Sequence, residues 1–383
     1  MQPSGRGLAP QTCARLLREA ERFCRHPEQP GLAPLVYRRW PAHEANLPPR
    51  LYERLHGASR LTLENNSLLL GKLEEICSRF SHDRIPVMVI KGPALADLTA
   101  GLLVRPFHDL DLLVHRHDLG EAERALRSLG YSEIHTGVGH DYHRIFAHPG
   151  ARGAVMVELH FGLGDAQRGV EPDVPGIWHR SGVVDLARCA VRAPGVTDHF
   201  LLTALQLPHH GWGLRLFVDL GLLASRWQAA IDWEELLGRA RAWRMWALTA
   251  SALYALDSMF DVAVPDVVRQ AVRPEGYLRR AQWHLVMEAV AARLAGETDA
   301  RACRLARLLV VDRPDGIGAL LARRIVAPHD PRIRHRPLAG TARRIAEGAW
   351  NLPALARVLV KSMNGKPSAW PQPSTRSIHG GQR

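Results

Sequence analysis

Between residues 50 and 84 apolar positions recur at the three- and four-residue spacing of an amphipathic helix, in "RLYERLHGASRLTLENNSLLLGKLEEICSRFSHDR". The pattern predicts one or two helices, with Leu61, Leu68, Leu69, Leu73 and Ile76 on the packed face and the polar run from Ser81 to Arg84 as the stop. At residue 85 the period changes. "IPVMVI" is a short run of mostly branched apolar residues between polar neighbours, which marks a buried strand. Lys91-Gly92-Pro93 then turns the chain. Pro93 suits the first turn of a helix, where no N–H is needed, and Gly101 ends the short helix "PALADLTAG". "HDLDLLV" reads as a second strand. In "HDLGEAERALRSLGY", Asp118 three residues before Glu121 predicts a capping box and Gly130 a stop. "YSEIH" and "DYHRIFAHP" read as weaker strands, "GAVMVELHFGL" as a stronger one.

Helical periodicity also occupies residues 11–25 and the Ala-, Leu- and Arg-rich stretch from Gly195 to about residue 362. The last stretch, "NGKPSAWPQPSTRSIHGGQR", reads as a disordered tail. These shifts divide the chain into an N-terminal helical segment (1–60), a mixed α/β domain (61–190), a helical domain (195–362) and a tail (363–383). The expected fold class is α+β: a mixed sheet with flanking helices, plus a C-terminal helical domain.

Composition narrows the partners. The 383 residues are 46% hydrophobic and 23% charged, the make-up of a soluble chain with two or three domains. A net charge of +12 admits nucleic acid, an anionic membrane or a phosphorylated substrate. However, only Lys72, Lys91, Lys361 and Lys366 are lysines among 50 basic residues, and no dense basic run interleaves with aromatics. That reads as the residue bias of a GC-rich genome, so nucleic acid is not the expected partner. Cys13, Cys24, Cys77, Cys189 and Cys303 are odd in number, widely spaced and without Cys-x-x-Cys. They suit neither a disulfide framework nor a zinc site and fit a reducing cytoplasm. "MQPSGRGLAP" lacks the apolar centre of a signal peptide, and no run approaches the roughly 18 apolar residues of a span, so no membrane partner is expected.

The chemistry centres on two acids inside the second strand. Residues i and i+2 of a strand share a face, so Asp109 and Asp111 project together about 6 to 7 Å apart while Leu110, Leu112 and Val114 face the core. Two carboxylates this close repel unless a cation lies between them. A hard divalent ion with oxygen ligands fits, and a pair of such ions can clamp the attacking and leaving oxygens of a phosphoryl transfer. For a bare Asp-x-Asp, which is a common pattern, salt bridges to Arg105 or His108, or a solvated sheet edge, are the favoured account, and it is the context that raises the functional reading. A third acid, Glu158, lies in another apolar run, "VMVELHF", where it could complete a metal cage.

Lys91-Gly92, Arg105, Asp109-Leu110-Asp111-Leu112-Leu113-Val114 and Glu158-Leu159-His160 resemble the nucleotidyltransferase superfamily typified by DNA polymerase beta. More narrowly they resemble an uncharacterised bacterial nucleotidyltransferase-like family, matched again through His210, Leu214-Arg215 and Asp219 to Leu223. The resemblance spans about residues 60 to 225. It makes 61–190 a nucleotidyltransferase-like catalytic domain. It implies that Asp109, Asp111 and Glu158 are the catalytic and metal-holding acids. Asp109 and Asp111 would hold the Mg²⁺ of a nucleoside triphosphate such as ATP, and Glu158 would complete a second ion's site and help activate an acceptor hydroxyl. Lys91, Gly92, Arg105 and His160 would be nucleotide contacts, with backbone N–H groups at Gly92 and the helix start meeting phosphates. The product would be a nucleotidylated acceptor and pyrophosphate. The superfamily carries Gly-Ser at the turn where this chain has Gly92-Pro93, so a hydroxyl contact is missing and Lys91 could supply charge instead.

Other readings stay open. Lys91 is either a phosphate binder or a solvent-facing strand end. Arg105 either touches phosphate or pairs with Asp109, and pairing is favoured. His160 is a metal ligand, a proton acceptor, a nucleotide contact or a buried structural His. His209 and His210 fall at a helix end. Arg215 and Asp219, four apart on a helix, predict an ion pair. Trp212, Trp227, Trp233, Trp243 and Trp246 are expected in the core. The expected function is Mg²⁺-dependent transfer of a nucleoside monophosphate to an unidentified small molecule, sugar, peptide or protein. The alternative is a non-catalytic nucleotide-binding or interaction protein on the same fold.

Overall fold

The computed structural model describes residues 31–39, 49–134, 142–150, 153–164, 169–186, 188–260, 262–297 and 301–312. The helix expected at 11–25, the end of the helical domain and the tail lie outside the described residues. After α1 (Ala33–Arg39) comes one long helix, α2 (Pro49–His82). Its buried stripe runs through Leu55, Thr62, Asn66, Leu69, Leu73, Ile76 and Phe80. Leu61 and Leu68, expected on that stripe, are exposed. At about 100° per residue they fall roughly a quarter turn away from it.

The sheet is built next. Its strands are β1 (Met88–Val89), β2 (Asp109–Leu113), β3 (Ser132–Glu133), β4 (His143–His148), β5 (Val155–His160), β6 (Gly182–Leu186) and β7 (Cys189–Ala193). Between them lie α3 (Pro93–Leu98), α4 (Leu119–Ser128) and α5 (Val174–Arg180). The spatial order is β3-β4-β5-β2-β1-β7-β6, with β2–β5 and β1–β7 parallel and the other neighbours antiparallel. This is the mixed α+β sheet that the pattern predicted. Two local expectations fail. Asp118 makes no side-chain cap, because it already belongs to the 3₁₀ turn Arg116–Asp118 that leads into α4. The β6–β7 hairpin was not anticipated. Its strand β7 alternates buried Cys189, Val191 and Ala193 with exposed Ala190 and Arg192, a period-2 signal weakened by small residues.

Among the described residues seven further helices follow: α6 (Val196–Gln206), α7 (Leu214–Arg226), α8 (Trp233–Ala242), α9 (Trp246–Met259), α10 (Asp266–Ala271), α11 (Gly276–Leu294) and α12 (Arg301–Leu309). Among the described residues no helix is long and apolar enough to cross a membrane.

Each sheet face has its own apolar cluster. Leu110, Leu112, Val114, Val157 and Leu159 pack with Leu73, Ile76 and Phe80 of α2 and with Leu126 of α4. Met88, Ile90 and Leu113 face the other way, into a cluster that carries Phe200, Phe217, Leu220, Leu253 and Leu285 of the later helices. Asp109 and Asp111 alternate with Leu110 and Leu112, so strand geometry puts them on the second face, beneath the later helices. Burying about 25 cal/mol per Å² of apolar surface there holds helices and sheet together. Trp212 and Trp243 are buried in this cluster and Trp233 and Trp246 pack against it. Trp227 departs from the expectation: it is 37% exposed and donates Nε1–H to Leu98 O at 2.8 Å.

Candidate active site

The register of one parallel strand pair builds the site. Asp111 lies opposite Glu158, Leu113 opposite His160 and Asp109 opposite Met156. With strands about 4.8 Å apart, Asp111, Glu158 and His160 converge on one face. Each brings a ligand atom to within 4.8 Å of the others. His160 Nε2 is 3.2 Å from Asp111 Oδ1 and 3.3 Å from Glu158 Oε2. Its Nδ1 is buried and has no partner among the described residues. Lys91 reaches in from the end of β1 and donates Nζ–H to Asp111 Oδ1 at 2.9 Å. Lys91 is therefore neither a free strand-end lysine nor an unattached phosphate binder. It is the counter-ion of the acid on the next strand. Asp109 stands two residues before Asp111 and outside the tight set.

The charges are strained in an ordered way. Burial works against the Asp111 carboxylate, but the Lys91 ammonium and the His160 hydrogen bond outweigh it and hold the group below the usual carboxylate range. A hydrogen bond from His160 lowers Glu158 as well, against burial. Among the described residues Asp109 has no such hydrogen-bonded partner. Burial first, and then the charges of Asp111 and Glu158, push it up to about 6. Burial would lower the Lys91 ammonium, and the Asp111 charge raises it instead. Three acids thus crowd one face with a single ammonium bonded among them. Two carboxylate oxygens and an imidazole nitrogen fit a divalent cation in number and kind. Asp111, Glu158 and His160 are the residues that could hold it.

Two devices aim the Asp strand. Gly92 has φ +49°, and a Cβ there would come 3.3 Å from Asp109 O. Only glycine combines that backbone with that approach. The second device is a pair of asparagines in the middle of α2. Asn65 donates to Phe107 O at 2.8 Å, and Asn66 donates to Leu102 O at 2.7 Å and to Arg105 O at 2.8 Å. The loop that feeds β2 is therefore pinned from the opposite side. Sequence reasoning passed over both residues. Their signal was present: adjacent Asn side chains are poor mid-helix residues unless they bond elsewhere.

The helix start after Gly92 offers few donors. Pro93 has no N–H, and the Ala94 N–H is taken by Lys91 O at 3.1 Å.

Arg105 does not pair with Asp109, and Asp219 does not pair with Arg215. Both expectations give way to one buried contact, in which Arg105 Nε and Nη2 donate to the two oxygens of Asp219, each at 2.9 Å. Arg105 is 4% exposed and Asp219 0%. A carboxylate so buried needs a full partner, and the guanidinium fork matches both its oxygens. Helix α7 is thereby fastened to the loop before β2. Arg226 and Trp227 fasten its other end by donating to Thr99 O and Leu98 O. His210, in the turn before α7, is pushed down to about 4, first by burial and then by the charges of Arg215 and Lys91. It is therefore uncharged at neutral pH.

The chain belongs to the family described as uncharacterised nucleotidyltransferases, which matches residues 18–261, more than half of its length. No curated protein matches it. Two solved structures of an antibiotic-resistance factor are similar to part of it. The solution structure of antibiotic-resistance factor ANT(2'')-Ia is 14% identical, covers 47% of this chain and 92% of its own, and has a TM-score of 0.36. The crystal structure of ANT(2'')-Ia with adenylyl-2''-tobramycin is 18% identical, covers 46% and 97%, and has a TM-score of 0.32. Likeness at that level carries no argument about this chain.

Proposed function

We propose that the chain transfers a nucleoside monophosphate from a Mg²⁺-bound nucleoside triphosphate to an acceptor hydroxyl and releases pyrophosphate. The observation that carries this reading is the register that sets Asp111 against Glu158, with Asp109 two residues earlier on the same face. Family membership supports the reaction class. Asp109, Asp111 and Glu158 are the proposed catalytic and metal-holding acids, with His160 beside the last two. A bound divalent ion would neutralise phosphate charge and align the reacting oxygens.

The chain's own groups have separable tasks. Lys91 holds Asp111 ionised and is within reach of an incoming phosphate. Gly92 lets the turn pass close to β2, where its backbone can approach the nucleotide. Arg105 is committed to Asp219 and acts as a positioning residue that fixes the loop before β2. Glu158 is the most open member of the tight set, with 28% of its side chain exposed against 6% for Asp111. An acceptor hydroxyl can reach it. The hydroxyl oxygen bonds to the α-phosphorus, its proton passes to Glu158, and the bond to the β-phosphate bridging oxygen breaks as pyrophosphate leaves. The acceptor is a small molecule, sugar, peptide or protein chosen by the later helices. Cys77, Cys189 and Cys303 are buried thiols in no disulfide among the described residues, which suits a reducing compartment, and we propose the cytoplasm.

A second reading is nucleotide binding without turnover. The loss of the Pro93 N–H and the engaged Ala94 N–H favour it, because both remove phosphate donors. Thermal unfolding with ATP, GTP, CTP and UTP, each with and without Mg²⁺, tests the site. A ligand bound only by the folded chain raises the midpoint. The proposal expects a Mg²⁺-dependent rise with at least one nucleotide, lost in the Asp109→Asn/Asp111→Asn double variant. No rise with any nucleotide overturns both readings. A rise without pyrophosphate release across candidate acceptors leaves the binding reading in place.

A further inference from the structure

Arg215 sits one turn before Asp219 on α7, on the same side of the helix. Because Asp219 is tied to Arg105 by two bonds of 2.9 Å, that side of α7 is fixed against the loop that enters β2. The stem of Arg215 is confined as well. A Cβ at Gly31 would come 2.9 Å from Arg215 Cδ, and Pro106 borders the same space. The same Cβ would lie 3.5 Å from Arg215 Nη1, so Gly31 leaves room for the stem and for one edge of the head.

Among the described residues the head has no dedicated partner. Arg215 is half-buried, yet among the described residues its guanidinium makes no hydrogen bond or salt bridge. Asp109 and Asp219 attract it and Arg105 repels it. His108 and His210 both feel its positive charge. The acid of the site that attracts it is Asp109, whereas Lys91 is bonded to Asp111. Five N–H donors that are partly desolvated and unfilled are costly to keep. A planar fork in that condition is suited to two oxygens of an anion. Asp109 attracts the head but, among the described residues, makes no ion pair with it.

We propose that Arg215 binds the polyphosphate of the donor nucleotide, so that the later helices complete the donor site as well as choosing the acceptor. This rests on the nucleotidyltransferase reading above. Lys91 and Arg215 would then flank the phosphates from β1 and from α7. The Arg105–Asp219 pair would set the distance between them. The two bonds that tie Asp219 to Arg105 thus have a functional consequence: they hold a second cation over a site whose acids lie on the sheet.

The test is calorimetric titration of the full chain with Mg²⁺ and each of ATP, GTP, CTP and UTP, the matching monophosphates, and inorganic tripolyphosphate. Wild type is compared with Arg215→Gln, Arg215→Lys and Asp111→Asn, and unliganded thermal midpoints report folding. A lost hydrogen bond between charged groups predicts that Arg215→Gln weakens triphosphate and tripolyphosphate binding about tenfold to a hundredfold. Monophosphate binding changes far less, and Arg215→Lys falls between. Folded Arg215→Gln that keeps wild-type triphosphate affinity overturns the assignment. So does a variant that loses mono- and triphosphate affinity in equal proportion with a lowered midpoint, since that is a structural role. If Asp111→Asn binds Mg²⁺-triphosphate normally while Arg215→Gln does not, the carboxylate reading falls and Arg215 stands. If wild type binds no nucleotide and no tripolyphosphate, both fall.

Discussion

Two charged clusters lie on the same side of the sheet and are built on opposite principles. Arg105 and Asp219 are complete: two donors meet two acceptors, both side chains are sealed, and nothing is left for a ligand. Lys91, Asp109, Asp111, Glu158 and His160 are incomplete: three acids crowd around one bonded ammonium, and burial together with the charges of Asp111 and Glu158 pushes Asp109 up to about 6. A buried pair with its charges matched serves structure. A half-open cluster with surplus charge is costly for the fold and is kept where a ligand supplies what is missing. The difference separates the positioning element from the candidate chemistry, although both are carboxylates on adjoining elements.

The largest expected effect breaks the complete cluster. Asp219→Ala strands a buried guanidinium and should lower the unfolding free energy by about 3–5 kcal/mol, measured by urea denaturation. Replacing both partners, as Arg105→Met/Asp219→Leu, should recover most of that loss, because the penalty comes from the unpaired charge. Failure of the double variant to recover would mean that the pair does more than match its own charges.

A pH titration of stability comes next. His199 is buried beside Arg105, and burial first, then that charge, pushes it down to about 3 from an ordinary 6.5. The unfolded chain takes up this proton below about pH 6.5 and the folded chain only near 3. Its contribution is therefore complete above pH 6.5 and is lost as the pH falls towards 3, with a slope of up to about 1.4 kcal/mol per pH unit. His199→Gln should flatten the acid limb by about one proton. An unchanged slope would place the acid sensitivity elsewhere.

Asn66→Ala removes the hook on the loop before β2. We expect a loss of about 1–3 kcal/mol, because the Leu102 and Arg105 carbonyls lose their donor. The smallest effect sharpens the incomplete cluster. Lys91→Met deletes the ammonium that occupies Asp111 Oδ1, so divalent-ion binding in the absence of nucleotide should tighten, on the order of tenfold. Weaker ion binding in that variant would show that Lys91 organises the acids and does not compete for them.

Much of this difference could be read before any coordinates. Period 2 around Asp109 and Asp111 put the acids on one face and their leucines on the other, and the apolar run around Glu158 supplied the neighbouring strand. These are local signals, and strands preserve them. Long-range pairing was not legible. Arg215 is the near neighbour of Asp219 in sequence, and Arg105 is 114 residues away, so spacing alone chose the wrong partner. Only the packing of α7 against the loop before β2 decides it. Asn65 and Asn66 were missed for a related reason, because their partners are backbone carbonyls some forty residues on, which carry no side-chain signal. Helical Leu61 and Leu68 were misplaced because a stripe rich in leucine can be drawn through a Leu-rich helix in more than one way.

The most direct test is Mn²⁺ titration followed by electron paramagnetic resonance, with and without nucleoside triphosphate, on wild type and on Asp111→Asn/Glu158→Gln. The account predicts Mn²⁺ bound by wild type, more tightly with nucleotide, and a loss of at least about tenfold in the double variant. Equal Mn²⁺ affinity in the two proteins would contradict it, and the acidic face of β2 and β5 would then be no metal–nucleotide site.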